Sequence, residues 1–92
     1  MEIFETGILA MSRTVNDTIA DSEKFAKEVM NALKKYVFCN WGDMSRGDKR
    51  LNDMAIRTGD RIFAAYNTSA GKIWIITEAS RIYTTVMFPD EY

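Results

Sequence analysis

Asp43, Asp48 and Glu78 are the carboxylates placed to do chemistry in this chain. Carboxylates in unlike environments divide into a general acid and a general base, or bind a hard cation through their oxygens. Each also has a structural reading. Asp48 stands where a helix N-terminus is capped, Asp43 lies in a turn, and Glu78 ends a strand where it can pair with Arg81. A second set comprises Arg61 and Arg81 with Tyr66, Thr77, Thr84 and Thr85. Guanidinium groups among hydroxyls recognise phosphate or carboxylate, and cross-strand threonine and ion pairs use the same residue types. Trp41, in the tight run Trp41-Gly42-Asp43, either anchors its loop in the core or stacks on a ligand. The structural reading is preferred throughout: no catalytic residue, no metal ligand and no cofactor are expected. The candidate contacts to a ligand or partner are Trp41, Asp43, Arg61, Tyr66, Trp74, Glu78 and Arg81.

Several function classes are excluded by what the sequence lacks. It has no histidine, which removes imidazole ligands, Ser-His and Cys-His pairs and the usual base near neutral pH. Cys39 is the single cysteine, so no internal disulfide forms, and it reads as a small buried hydrophobe. Met1 to Ala10 carries Glu2 and Glu5 and no basic n-region, and no apolar run approaches a membrane span. A cytoplasmic protein without a membrane contact is expected. In that setting Arg46-Gly47-Asp48, Asn16-Asp17-Thr18 and Asn67-Thr68-Ser69 are chance matches to adhesion and glycosylation motifs. The net charge is −1 and the pI about 5.3. Arg46, Lys49, Arg50 and Arg57 are interrupted by Asp43, Asp48 and Asp53, which makes a solvated helix face and not a phosphate track. No appreciable binding to duplex DNA is expected, because such binding needs phosphates neutralised by lysine and arginine.

The elements that must position these residues are legible in the apolar pattern. Ninety-two residues make one domain, 1–92, and a hydrophobic content of 47% suits a folded chain, not a disordered one. Gly7 to Arg13 reads as a short strand and Thr14 to Ala20 as a brief helical turn. From Ser22 to Val37, Phe25, Val29, Leu33 and Tyr36 recur at helical spacing. A second helix runs from Ser45 to Thr58 with Leu51, Met54, Ala55 and Thr58 inward, a capping-box spacing at Ser45-Arg46-Gly47-Asp48, and Gly59 as its C-terminal cap. Three strands follow, Arg61 to Thr68, Lys72 to Glu78 and Ile82 to Phe88, with Pro89 stopping the last. The expectation is an α+β fold, β-α-α-β-β-β, with two helices on one face of a four-stranded, mainly antiparallel sheet. Along the central strand Ile73 and Ile75 point one way and Trp74 and Ile76 the other. Trp74, Phe63 and Val86 then form an apolar patch on the second face, covered either by the N-terminal segment or by another molecule, a homodimer included.

Part of the chain resembles a known family. Asn40-Trp41-Gly42-Asp43-Met44, Asp48 and Asn52, Trp74 to Ala79, Arg81, Thr84 to Pro89 and the pair Glu91-Tyr92 resemble the short plasmid-related proteins of bacterial mobile elements, from about Lys35 to Tyr92. Some members of that family carry names linking them to restriction systems. This chain departs from the family pattern at Asn40 and Ser80, where aspartate is usual, and at Tyr36, where histidine is common. The resemblance implies an accessory protein that binds another protein and inhibits a host defence complex, of CRISPR or restriction type. The rival reading is a small-molecule or nucleotide-binding protein, or a weak enzyme, built on the Trp41 loop with Arg61 and Arg81.

Overall fold

Two serines define the helical layer. Ser12 Oγ accepts from Val15 N and opens helix α1, Arg13–Asp21. Ser22 then ends α1 with its own N–H on Thr18 O and opens α2, Glu23–Val37, by accepting from Phe25 N. Such caps satisfy amide donors that have no intrahelical partner. The computed structural model, which describes residues 3–92, thus has a full helix where a brief turn is expected from sequence. Val15 and Ile19, four apart, give α1 its inner stripe. Along α2, Phe25, Val29, Ala32 and Tyr36 are buried, with Leu33 half-buried beside them.

Helix α2 ends on a Schellman arrangement. Cys39 N donates to Tyr36 O and Asn40 N to Lys35 O, with Cys39 itself at φ 65°. That left-handed position usually holds glycine. The reversal aims residues 40–44 back along the sheet and leads into α3, Arg46–Thr58, capped by Ser45 at one end and by left-handed Gly59 at the other.

The sheet comprises β1, Ile8–Met11; β2, Ile62–Thr68; β3, Gly71–Thr77; and β4, Tyr83–Met87. Its order is β1-β4-β3-β2. The meander β2-β3-β4 is antiparallel, and β1 joins β4 in parallel. The chain is therefore an α+β fold with three helices and a mixed sheet. Among the described residues, no helix is long and apolar enough to cross a membrane.

Register assigns the two faces. Ile62, Ala64, Tyr66, Ile73, Ile75, Thr77, Thr84 and Val86 pair with one another and face the core with Phe25, Val29 and Tyr36. Val86 lies opposite Ile75 and is fully buried, so it does not belong to the Trp74 patch expected from sequence. Phe63, Ala65, Trp74, Ile76, Thr85 and Met87 occupy the other face.

A line of hydroxyls crosses the core. Thr84 Oγ1 donates to Thr6 O at 2.7 Å. A hydroxyl has one proton, so Thr84 accepts from Thr77, 2.7 Å away, and Thr77 accepts from the Tyr36 phenol at 2.6 Å. Buried polar groups need partners, and each of these has one. The chain of bonds ties α2, β3, β4 and the segment before β1 together.

Helix α3 flanks the outer edge of β2 and does not cover a sheet face. Asn52 is its central buried residue: Nδ2 donates to Phe63 O at 2.6 Å, and Oδ1 accepts from Phe63 N at 3.1 Å. Its carboxamide takes the place of a strand partner. Two residues on, Asp43 N donates to Ala65 O at 2.7 Å, and Gly42 bridges Ala65 in parallel. The expected inner face of α3 is corrected accordingly. Asn52 and Ala55 are buried, while Leu51, Met54 and Thr58 are exposed, because a helix laid along one strand edge needs only a narrow stripe.

Asn52→Ala removes both bonds to Phe63 and is expected to cost about 1–3 kcal/mol. It also uncovers the β2 edge, so light scattering on mild heating should rise faster than for the parent. An unchanged denaturation midpoint would show that the carboxamide contributes nothing at this edge.

Candidate functional site

The sequence-derived candidates fall in three places. Trp41, Asp43 and Tyr66 lie where the 40–44 loop meets β2. Trp41 is 2% exposed. Its ring meets Tyr36 edge-on at 5.5 Å between centroids and Phe4 at 5.9 Å, and its Nε1 donates to Asp53 Oδ1 at 2.9 Å. It anchors the loop in the core and offers no face to a ligand. The Tyr66 phenol is buried too, donating to Asn40 O at 2.6 Å. A Cβ on Gly42 would meet Ala65 O at 2.3 Å and the Tyr66 ring at 2.6 Å, so only glycine lets the loop lie this close to β2. Outside this contact Asp43 is exposed, 3.0 Å from Lys72 Nζ and 3.4 Å from Asn67 Nδ2. The Lys72 ammonium, then Asn67, hold its carboxyl below the usual range, which leaves it a weak proton acceptor at neutral pH. A shallow groove of about 470 Å³ opens here between Asp43, Asn67, Glu28 and Lys35. Glu28 accepts from Ser69 N and Ser69 Oγ, tying α2 to the β2–β3 turn.

Glu78 and Arg81 lie at the β3–β4 turn. The expected ion pair between them is replaced by main-chain contacts. Arg81, at φ 62°, folds its guanidinium onto three carbonyls: Asp60 O at 2.8 Å, Glu78 O at 3.1 Å and Ala55 O at 3.0 Å. The last is a carbonyl at the end of α3, where a cation is favourable. Arg81 is thereby a clamp between α3 and the turn.

Arg61 and Trp74 belong to the open sheet face. Phe63 and Trp74 meet edge-on at 4.8 Å between centroids, and Trp74 and Tyr92 at 5.6 Å. Arg61 caps the row, with its guanidinium 5.7 Å from the Tyr92 ring centre and an Nη1 bond to the Tyr92 hydroxyl. The cover on Trp74 is thus the C-terminal turn, Pro89–Glu91 with Tyr92. Of the N-terminal segment, Phe4 goes elsewhere, into the core against Tyr36 and Trp41, while Met1 and Glu2 lie outside the described residues. That turn is held by Glu91, which accepts from Phe88 N and Ser12 Oγ, both at 2.8 Å.

The structure does not bring the Trp41 loop, Arg61 and Arg81 together around one ligand. Tyr66, Thr77 and Thr84 turn into the core, and Thr85 turns to the open face. Burial, then the charge of Asp53, pushes the Cys39 thiol up, away from the thiolate form. Among the described residues, no three Cys, Asp or Glu side chains cluster as metal ligands would. Tyr92 is a residue of the open face that sequence reasoning did not single out as a contact. Its local signal is an aromatic residue placed just beyond a proline-bounded strand. No family model matches the chain, and no curated protein or solved structure shows significant similarity to it.

Two outcomes are expected. Trp41→Ala should lower unfolding stability by roughly 3–5 kcal/mol, measured by denaturant titration; a loss below about 1 kcal/mol would contradict core anchoring. Burial raises the pKa of both Tyr36 and Tyr66 above the ordinary phenol value. Their contribution to stability is fully present below pH about 10 and is lost as pH rises above it. Phenolate absorbance from these two residues should therefore appear together with loss of the far-ultraviolet dichroism. Ionisation of either while the helices persist would refute this coupling.

Proposed function

We propose that this chain is a non-catalytic binding protein that acts by contact with another protein through its open sheet face. The observation that carries the reading is the row Phe63, Trp74 and Tyr92 capped by Arg61. Tyrosine, tryptophan and arginine dominate the energetics of protein interfaces, where rigid rings add contact area at small entropic cost. Tyr83 is 48% and Tyr92 68% exposed on this side, and Ile8 is 70% exposed at its margin. Two charged candidates, by contrast, are engaged within the molecule: Arg81 by carbonyls, Asp43 by Lys72.

The kind of partner rests on the resemblance to plasmid-related proteins of mobile elements. On that ground the target is a component of a host defence complex, CRISPR or restriction, and the chain is its inhibitor. Expression in a bacterial host with an active defence should raise the plating efficiency of the phage that the defence targets. Trp74→Lys and Arg61→Glu should each abolish the rise while melting near the parent temperature. An effect that survives both substitutions would exclude the open face, and no effect of the parent across restriction and CRISPR hosts would exclude the anti-defence role.

A further inference from the structure

Resting on the reading of the open sheet face as the partner face, we propose that residues 89–92 are a lid on it, and that the seat Tyr92 holds beside Trp74 and Arg61 is the one an exposed tyrosine of the partner protein takes. Phe88 is the fixed end of the lid. It stacks on Phe25 at 5.7 Å between centroids and packs against the core. Beyond it the turn is lightly held. Among the described residues, its backbone bonds go no further than Phe88: Glu91 N donates to Phe88 O and Tyr92 N to Pro89 O. Side chains at the surface tie it down, Ser12 Oγ on Glu91 and Arg61 on Tyr92. A groove of about 520 Å³ opens between the turn and Thr14 and Thr18 of α1. Tyr92 stays 68% exposed, so its own burial contributes little to closure. A segment with exposed bonds and little buried apolar surface opens at small cost in free energy.

The closed lid shows what the seat accepts. The Tyr92 ring stands edge-on to the Trp74 indole, with planes 69° apart, and Arg61 lies against the same ring and donates to its hydroxyl. Edge-on aromatic contact and cation–π attraction select a ring. The guanidinium bond selects a hydroxyl on that ring. A phenol satisfies both, whereas a phenyl ring or an aliphatic side chain leaves the guanidinium donor without its acceptor. Phe63, 4.8 Å from Trp74 between centroids, belongs to β2 and keeps its place when the lid opens. A partner tyrosine therefore competes with Tyr92 for one seat, and its apparent affinity scales with the fraction of molecules whose lid is open.

Acrylamide quenching of the full chain, with 4-methylphenol as the probe of the seat, tests this. Trp41 is 2% exposed, so quenching reports Trp74. Tyr92→Ala should raise the quenching constant roughly twofold and keep the parent's melting temperature and dichroism. Glu91→Ala should raise it too, although the Glu91 carboxylate bonds Ser12 and Phe88 N and not Trp74 or Arg61. In a nuclear magnetic resonance titration, 4-methylphenol should shift the Trp74 indole N–H saturably in Tyr92→Ala and bind the parent roughly tenfold more weakly. Adding Arg61→Ala to Tyr92→Ala should abolish that binding. Unchanged quenching in either variant, a Tyr92→Ala chain that melts well below the parent, or 4-methylphenol binding that is equal in parent and variant, absent from both, or indifferent to Arg61→Ala would each overturn the proposal. No partner enters these measurements, so failure of the lid and failure of the partner reading are seen in separate experiments.

Discussion

The buried run from Tyr36 through Thr77 and Thr84 to the Thr6 carbonyl is the constraint on which the rest of the arrangement depends. Thr77 and Thr84 face the core at the paired ends of β3 and β4. An unpartnered hydroxyl there would be costly. Tyr36 supplies one end of the chain of bonds and so fixes how α2 lies over the meander. Thr6 supplies the other and draws the N-terminal segment alongside β4. The parallel β1 follows from that placement. So does the position of Phe4, which closes the aromatic group of Tyr36 and Trp41. One apolar replacement in the line would leave its neighbours without a partner, so the four groups act as a unit.

Much of the fold was legible in the sequence because local signals and burial agree there. The period of Phe25, Val29 and Tyr36 marks α2, and the turns at 67–71 and 79–81 separate three strands whose pairing is then the simplest available. Trp41 as a core anchor was also legible, since a large ring in a tight linker has few other stable places. What escaped was long-range. Thr77 and Thr84 read as sheet-surface hydroxyls, because nothing in a threonine says that a tyrosine from another element will reach it. Asn52 gives no local sign that its carboxamide will meet a strand edge. Leu51 and Met54 looked inward because the apolar period assumes that a helix covers a sheet face. Arg81 invited a carboxylate partner, and the three carbonyls that it meets instead come from α3, the segment before β2 and its own turn.

The candidate site shows the same division. Alternation placed Trp74 opposite Ile73 and Ile75 and beside Phe63, while Arg61 was grouped with Arg81 and Tyr66 and not with Trp74. The ring of Tyr92 over Trp74 is a tertiary event at the end of a short turn, with no periodic pattern to announce it. The grouping of Arg61 with Arg81 and Tyr66 failed because tertiary contacts separate them: Tyr66 turns inward, Arg61 reaches Tyr92, and Arg81 is taken up by carbonyls of α3, of Asp60 and of its own turn.

The Thr84–Thr6 bond joins residues 78 positions apart, and the β1–β4 ladder lies beside it. The meander closes through short turns, whereas β1 must return across nearly the whole intervening chain. Contacts of that kind carry the larger loop-closure cost and form late in assembly. The first strand is thus the last to dock and the first to leave. The molecule has a graded order of opening, in which β2, β3, β4 and α2 hold together after β1 has parted from them.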